Sequence, residues 1–309
     1  MEYLVALYQF RHFGQAADAC GVSQPSLSAM ISKTEDELNA RLFDRPKRGP
    51  VTPTMVCHNV VRQAKVALAA AKKINEVAAA ETTSLEGTLQ IGVIPTLAPY
   101  IVPAFVHHFT TDCPDVELQI SEGRTKQLVR ELLDGRFDML LCATPLDNPD
   151  VFEIPIYYER FVAYFSPATL APEGAIPNNF ERLNNSIEGK GLWVLQEGHC
   201  MRSQTFNFCG QEHPYNRTYE AGSIDTLVRI IDENGGYSVI PELHLPFLSE
   251  EQRQGVRPIE SPPAVREISL VVRTDFVRER LINAVADVLK KIVPPELIND
   301  RLKKFAIKL

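Results

Sequence analysis

Residues 54–81 are rich in alanine and contain neither glycine nor proline. Apolar residues recur in this stretch at spacings of three and four, namely Cys57, Val60, Ala64, Ala67, Ala71, Ile74 and Ala78. This heptad pattern predicts one long helix whose apolar seam packs against a partner helix. Packing of the helix on its own domain is the simpler alternative. Residues 81–87 break the pattern and are interpreted as a hinge, so the chain is expected to consist of separate domains on either side.

The segment before this helix has the pattern of two short helices joined by a tight turn. Gly21 follows the first helix, as glycine often does at a helix end. Ser23 is a suitable N-cap for the second helix, and Pro25 in its first turn costs no helical hydrogen bond. The second helix is expected to present short polar side chains that can approach base edges in a DNA major groove. The predicted contact residues on this helix are Gln24, Pro25, Ser26, Ser28 and Ser32.

Residues 42–53 follow as a short, partly basic loop that resembles a wing. Arg45, Lys47 and Arg48 are placed in this loop to contact DNA phosphates. The alternative is an ordinary helix pair with a solvated basic loop. Residues 1–81 carry 10 Lys+Arg and 8 Asp+Glu (+2), and the remainder carries 22 and 31 (−9), which together give the net charge of −7. The acidic charge is therefore concentrated outside the predicted DNA-contacting segment.

From residue 88 onward, strand-like and helix-like runs alternate. Predicted strands lie at 89–94, 116–120, 138–142, 192–195, 237–240 and 268–272, and predicted helices at 99–111, 125–133, 224–233 and 277–292. This alternation predicts a mostly parallel sheet covered on both faces. About 220 residues are generous for one such unit, so two α/β lobes separated by a cleft are expected.

The remaining sequence features indicate the cellular compartment of the protein. The chain contains no long apolar run that would cross a membrane, and its N-terminus lacks a basic region followed by a small-residue cleavage site. A cytoplasmic location with no membrane partner is expected. Six cysteines in such a compartment are more consistent with buried thiols or a transient redox pair than with a disulfide framework.

One pair of cysteines has a suggestive setting. Cys200 is flanked by His199 and Arg202, and a nearby positive charge favours the reactive thiolate. Cys209 lies nine positions later. If the intervening segment is helical, its ends are ~13 Å apart, whereas a disulfide needs Cα atoms within roughly 7 Å. Bond formation would then require local rearrangement. Two inert cysteines, or a zinc site that includes His199, Cys200, Cys209 and His213, are the alternatives.

The N-terminal motifs resemble those of the LysR-type transcriptional regulators. The similar residues are Ala16-Ala17, the run Val22–Ser28, Glu35, Leu38, Leu42–Arg45 and Thr52-Pro53; Thr54-Met55 departs from the family by lacking a glycine. The resemblance implies a winged helix-turn-helix at 1–53, a dimerising linker helix and hinge at 54–87, and a regulatory domain at 88–309. That domain resembles periplasmic binding proteins, with lobe I at about 88–161 and 268–309 and lobe II at about 162–267. The implied partners are an operator in double-stranded DNA, a second copy or three further copies of the chain, and RNA polymerase.

The segment around Cys200 resembles the redox loop of the OxyR branch of that family, which senses hydrogen peroxide. The resemblance implies that Cys200 is the peroxidatic cysteine, that Cys209 is the resolving one, and that they form a reversible disulfide. It further implies a peroxide pocket lined by Thr96, Thr125, His199, Arg202 and Arg273. Ser203 departs from relatives that carry an acid at that position.

The combined interpretation is a regulator that is not an enzyme and needs no cofactor or metal ion. Thr96 and Thr125 each follow a predicted strand, and parallel α/β sheets bind ligands at that edge. Two rival interpretations stay open: a LysR-type regulator that binds a small organic effector while its cysteines are structural, and a stand-alone thiol peroxidase.

Overall fold

The computed structural model describes residues 1–46, 50–80, 85–167, 173–177, 192–195, 217–219, 223–260, 263–276 and 278–298. The chain divides into two compact units. The first comprises Met1–Thr83 with Leu133–Arg136, and the second comprises Ser84–Leu132 with Phe137–Leu309.

The first unit is built from three short helices, a small hairpin and one long helix. Its elements are α1 (Glu2–Phe10), α2 (Phe13–Ala19), α3 (Gln24–Glu37), β1 (Phe43–Asp44), β2 (Thr52–Pro53) and α4 (Met55–Ala80). The strands β1 and β2 pair antiparallel and form the predicted wing. Leu7, Leu27, Ile31 and Phe43 are at most 1% exposed and form the centre of the core.

Helix α4 confirms the predicted long helix, and its first turns bury their apolar seam within the same unit. Cys57, Val61 and Ala64 are buried in the core formed with α1, α2 and α3. Farther along, Val66 is 47% exposed and Ala71 is exposed. The packing of α4 on its own domain, which was the simpler alternative, therefore accounts for the beginning of the seam. The side chains of Ile74 and Ala78 lie outside the described part.

The second unit begins with a βαβαβ arrangement. Its elements are β3 (Gly87–Val93), α5 (Ala98–Asp112), β4 (Val116–Glu122), α6 (Thr125–Leu133) and β5 (Met139–Thr144). Strand β3 pairs in parallel with both β4 and β5. All of β5 is buried, as expected for a parallel strand covered on both faces.

Two long strands then extend the sheet. They are β6 (Val151–Phe165) and β12 (Val265–Arg273), which pair antiparallel with each other, and β12 also pairs antiparallel with β5. The prediction of a mostly parallel sheet was wrong at this point. The sequence reasoning missed β6 altogether, because its 15 residues lack the regular alternation that indicates a half-buried strand.

A second hydrophobic core lies beyond these strands. It packs β10 (Tyr237–Pro241), which pairs with β6, against α7 (Ile224–Asn234) and β8 (Trp193–Leu195), and β8 pairs in parallel with β9 (Arg217–Tyr219). The remaining elements there are β7 (Ile176–Pro177), a 3-10 helix (Glu242–Phe247), α8 (Glu250–Gln254) and β11 (Val256–Glu260). Tyr237, Leu227 and Ile231 are fully buried in this core.

The chain returns to the βαβαβ part of the second unit through β12 and α9 (Glu279–Ile292), which packs on α5, and continues into a 3-10 helix (Pro295–Leu297). The described strands of the large sheet follow the order β4-β3-β5-β12-β6-β11-β7, with β10 paired to β6. The predicted α/β fold class is therefore confirmed, whereas the division of this region into two lobes separated by a cleft stays a prediction. Within the described residues, every helix is too short or too polar to span a lipid bilayer.

Candidate functional site

The turn between α2 and α3 is fixed by local hydrogen bonds. Gly21 adopts φ of 64°, a left-handed conformation that suits glycine. The Val22 and Gly21 amides donate to the carbonyls of Ala17 (3.0 Å) and Asp18 (3.1 Å), which closes the end of α2. The Ser23 hydroxyl then accepts from the Ser26 amide (3.3 Å) and caps α3, as predicted. The sequence therefore sets the angle between the two helices through contacts that span only a few residues.

Helix α3 presents the predicted polar surface. Leu27 and Ile31 are buried, whereas Gln24, Pro25 and Ser26 are exposed. Ser28 and Ser32 are half-buried, so they lie at the edge of this surface. Ala29 and Lys33 are also exposed, and Lys33 is the cationic residue of this face that the sequence reasoning missed. The available signal was the four-residue spacing from the predicted Pro25 through Ala29 to Lys33.

Arg45 has intramolecular partners in addition to the expected phosphate role. Its Nη2 lies 3.0 Å from Glu35 Oε2 and 3.3 Å from Ser32 Oγ, and its guanidinium lies 5.1 Å from the ring centroid of Phe13. The other Glu35 oxygen accepts from the amides of residues 42 and 43. Arg45 therefore ties the wing to α3, and its side chain stays 34% exposed. Lys47 and Arg48 lie outside the described residues.

Thr96 and Thr125 follow adjacent parallel strands at the same edge of the sheet. Val93 of β3 lies opposite Glu122 of β4. Thr96 comes three residues after Val93, and Thr125 comes three residues after Glu122. Carboxyl ends of neighbouring parallel strands are ~4.8 Å apart and form the edge at which α/β sheets bind ligands. The structure therefore brings both predicted pocket threonines to one edge.

A buried arginine occupies this edge beside Thr96. Arg266, at the start of β12, is fully buried, and its Nη1 donates to Thr96 Oγ1 (2.9 Å) while Nη2 donates to the Thr96 carbonyl (3.1 Å). Its Nε donates to Glu159 Oε2 (2.5 Å), and Nη2 contacts the same oxygen. Burial raises the pKa of the Glu159 carboxyl, and the positive charge of Arg266 opposes that rise. The edge thus holds a cation whose charge is balanced by one carboxylate.

Three buried polar atoms near this edge or its neighbouring strand have no hydrogen-bond partner among the described residues. They are Thr125 Oγ1, Tyr157 Oη and Glu159 Oε1. Burial raises the pKa of the Tyr157 phenol well above its ordinary value, with the Glu159 charge adding to the rise, so the phenol stays protonated. Buried polar groups are normally paired, and unpaired ones call for an explanation such as a ligand or an ordered water. The Thr125 hydroxyl, at the start of α6, caps no described amide of that helix.

Arg273 does not lie where the resemblance predicted. It is at the far end of β12 from Arg266, seven positions and roughly 23 Å away along the strand. Its guanidinium donates to Asp275 Oδ1 (3.1 Å) and to the carbonyl of Leu132 (3.2 Å). The assignment of Arg273 to the pocket was wrong, and Arg266 contacts Thr96 instead. The sequence held no signal that separates the two, because both arginines flank the same apolar run of β12.

A second polar contact flanks the same edge. Tyr100 on α5 and His244 on the 3-10 helix share a hydrogen bond of 2.8 Å between Oη and Nδ1, and His244 stacks on the half-exposed ring of Phe247. Burial lowers the pKa of His244, and Asp225 opposes the shift. Burial and the charges of Glu159 and Asp225 raise the pKa of Tyr100 above its ordinary range. This contact joins α5, which follows Thr96, to the second core.

Among the cysteines that the structure describes, Cys57 and Cys113 are held as thiols by burial. Cys57, Cys113 and Cys142 are buried, and Cys20 is half-buried at the end of α2. Burial, with a smaller contribution from Glu35, raises the pKa of Cys57 to about 11. Burial, then Asp112, raises the pKa of Cys113. The predicted residues Cys200, Cys209, His199 and Arg202, with Ser203 and the zinc alternative's His213, lie outside the described residues.

Comparison with known families is consistent with this architecture. Residues 1–58 match the bacterial regulatory helix-turn-helix of the LysR family, and residues 82–293 match the LysR substrate binding domain. The chain belongs to the LysR family of transcriptional regulators, in its OxyR branch. The predicted family, the helix-turn-helix and the α/β effector domain of this LysR-type regulator are thereby confirmed.

Individual relatives extend over nearly the whole LysR-type chain. The hydrogen peroxide-inducible genes activator of Haemophilus influenzae is 36% identical over 303 residues, which cover 95% of this chain and 97% of that protein. The DNA-binding transcriptional dual regulator OxyR of Escherichia coli is 34% identical over 277 residues, 88% of each chain. A full-length OxyR mutant from Pseudomonas aeruginosa has a TM-score of 0.75 at 31% identity and covers 94% of this chain and 93% of its own. A Corynebacterium glutamicum OxyR mutant with bound H2O2 has a TM-score of 0.61 at 28% identity, covering 100% and 97%.

Proposed function

We propose that this regulator senses hydrogen peroxide through a reversible disulfide between Cys200 and Cys209 and passes the signal to DNA-bound winged helices. The observation that carries the proposal is the buried Arg266 guanidinium bonded to Thr96 at the carboxyl edge of the sheet. A fixed cation beside hydroxyl groups suits a thiolate and an incoming peroxide, because both need hydrogen-bond donors and positive potential. The related proteins named above support the choice of ligand.

The course of β8 supports placing Cys200 near this edge. Leu192 forms a parallel bridge with Tyr237 at the start of β10, so β8 and β10 run in the same direction. The carboxyl end of β10 leads into the 3-10 helix that contacts Tyr100 through His244. Cys200 comes five residues after the end of β8, a span of at most roughly 17 Å. The direction of β8 therefore supports a sensing loop that begins on the side of the second core that Tyr100 contacts, and so near Thr96 and Arg266.

The proposed chemistry uses these groups in two steps. The Cys200 thiolate attacks one peroxide oxygen, the O–O bond breaks, and the departing oxygen takes up a proton and leaves as water, which gives a sulfenic acid. Cys209 then attacks that sulfur, the S–O bond breaks, and a second water leaves as the disulfide forms. Thr96, Thr125 and His199 line the approach of peroxide, and Arg202 assists Arg266 in stabilising the thiolate. Peroxide consumption by this route is stoichiometric, as befits a regulator and not an enzyme.

The signal reaches DNA through the first unit. Gln24, Pro25, Ser26 and the neighbouring Ser28 and Ser32 face the major groove of a double-stranded operator, while Arg45, Lys47 and Arg48 lie near phosphates. The exposed part of α4, including Val66, pairs with a second copy of the chain. The domain division 1–53, 54–87 and 88–309, with the two lobes described above, belongs to this proposal. RNA polymerase is the further partner, and the cytoplasm is the compartment.

The decisive experiment is disulfide mapping by mass spectrometry after a brief, low dose of peroxide. A Cys200–Cys209 link should form before any other pair, and Cys200→Ser should lose the peroxide response while it retains operator binding in the reduced state. An unchanged response in Cys200→Ser would contradict the proposal and favour an organic effector. Cys142→Ser is the matched control, because Cys142 is a fully buried thiol elsewhere in the sheet and should leave the response unchanged.

A further inference from the structure

Glu159 is a carboxylate placed inside a hydrophobic strand. It belongs to β6, where residues 156–158 before it and residues 161–165 after Arg160 are buried. Its side chain is 0% exposed, as is that of its partner Arg266 on β12. Charged residues are almost never fully buried unless they are paired, so the location of Glu159 is explained by Arg266.

The contacts of the pair determine which edge of the guanidinium faces the sensing site. Glu159 Oε2 accepts from Nε and contacts Nη2. Nη1 is thereby directed to Thr96 Oγ1, at 2.9 Å. The aromatic ring of Phe161 lies 5.3 Å from the guanidinium carbon and limits its tilt. An arginine side chain has several rotatable bonds, and this set of contacts leaves it one orientation.

The hydrogen bonding of Glu159 argues against a purely stabilising role. Within the described part of the chain, its Oε1 has no hydrogen-bond partner, and neither has the nearby buried hydroxyl of Tyr157. A buried ion pair contributes to stability only when its remaining lone pairs are satisfied, and apolar replacements are often as stable. The carboxylate is therefore better explained by what it does to Arg266 than by a contribution to the free energy of folding.

We propose that Glu159 is a positioning residue of the peroxide site, which orients the Arg266 guanidinium toward Thr96 and so sets the rate at which Cys200 reacts. This inference rests on the proposed function. Glu159 touches neither peroxide nor sulfur in this proposal, and it acts only through Arg266.

Removal of the negative charge of Glu159 distinguishes an orienting role from a purely electrostatic one. In Glu159→Gln the site becomes more positive, and Coulomb attraction alone would favour the Cys200 thiolate and speed its reaction. Loss of orientation has the opposite effect, since small misplacements of a catalytic group cost roughly tenfold to a hundredfold in rate. The proposal therefore predicts a slower reaction from a more positive site.

The experiment measures the second-order rate constant for oxidation of Cys200 by hydrogen peroxide in the full-length, reduced protein. Glu159→Gln should lower it roughly tenfold or more. Introduced into an Arg266→Gln background, the same change should alter the rate less than about twofold, because residues acting as a unit are not additive. A purely structural effect would persist in that background.

Glu267→Gln is the matched control. Glu267 is the neighbour of Arg266 on the same strand, so it faces the opposite side of the sheet, where it accepts from Thr144 Oγ1 (2.9 Å). Its replacement should leave the oxidation rate of Cys200 unchanged. Reduced-state operator affinity and the melting temperature of every variant report whether the protein is folded.

Glu159→Asp keeps the experiment informative if Glu159→Gln does not fold. It retains the charge but shortens the side chain by one methylene, so the guanidinium is held differently and the rate should also fall. Folded Glu159 variants that react at or above the wild-type rate would overturn the inference and leave the peroxide switch intact. Wild-type protein whose Cys200 does not react with peroxide would instead remove the proposed function, and this inference with it.

Discussion

Helix α3 and the carboxyl edge of the sheet beside Thr96 are built on opposite principles. The polar surface of α3 comes from residues within nine positions of one another, is exposed, and is set by a glycine turn and a serine cap. The carboxyl edge joins Thr96, Glu159 and Arg266 from three distant parts of the chain and buries all three. A surface of the first kind is held by local contacts and tolerates change, whereas a buried ion pair requires both partners.

Removal of Arg266 should have the largest effect on stability. Arg266→Met leaves the Glu159 carboxylate buried without a counter-charge, which should lower the free energy of unfolding by ~3–5 kcal/mol. Denaturant unfolding of the second unit measures the loss. The double change Glu159→Gln with Arg266→Met should recover much of it, because no charge is then left unpaired. If Arg266→Met alone were as stable as the wild type, the buried ion pair would not differ from the exposed surface of α3 in its tolerance to substitution.

Removal of the α3 cap should have an intermediate effect confined to the first unit. Ser23→Ala leaves the Ser26 amide without its acceptor and should cost ~1 kcal/mol of helix stability. Operator affinity measured by fluorescence anisotropy should fall, while the rate of Cys200 oxidation should stay as in the wild type. Ser223→Ala, which removes the corresponding cap of α7, is the control in the second unit. Altered Cys200 oxidation in Ser23→Ala would show that the two regions are coupled.

Acidification should have the smallest effect, and it should act on the second unit. Burial lowers the folded-state pKa of His244, so the unfolded chain binds a proton first as the pH falls below about 6.5. Above that pH, His244 is neutral in both states and does not affect the free energy of unfolding. As the pH falls from there to the lowered folded-state pKa, protonation of the unfolded chain lowers the free energy of unfolding. Thermal unfolding between pH 7.5 and 5 should show this decline, and His244→Gln should reduce it. An equal decline in both proteins would place the acid sensitivity elsewhere.

The sequence predicted those features that depend on neighbouring residues. Gly21, Ser23 and Pro25 define the turn between α2 and α3, and the glycine-free and proline-free stretch became α4, from Met55 to Ala80. Strands β3, β4 and β5 were recognised from short apolar runs, and the threonines after β3 and β4 were correctly assigned to one edge. Each of these predictions rests on hydrogen-bonding or hydrophobic patterns that lie within a short stretch of the sequence.

Features that depend on pairing between distant strands were not predicted. The antiparallel pairing of β6 and β12 turned an expected mostly parallel sheet into a mixed one. It also placed Arg266, and not Arg273, beside Thr96, since strand direction decides which end of β12 reaches the carboxyl edge of β3 and β5. Both arginines flank the same apolar run, so their local sequence does not distinguish them.

The amino-acid sequence alone determined the helix-turn-helix, the long helix, the strand–helix alternation and the residue types available for redox chemistry. Tertiary structure decided which arginine meets Thr96, that Glu159 balances its charge, and that Arg45 ties the wing to α3. The physical reason is that backbone preferences and hydrophobic periods act over a few residues, whereas a buried charge finds its partner only when distant strands have come together.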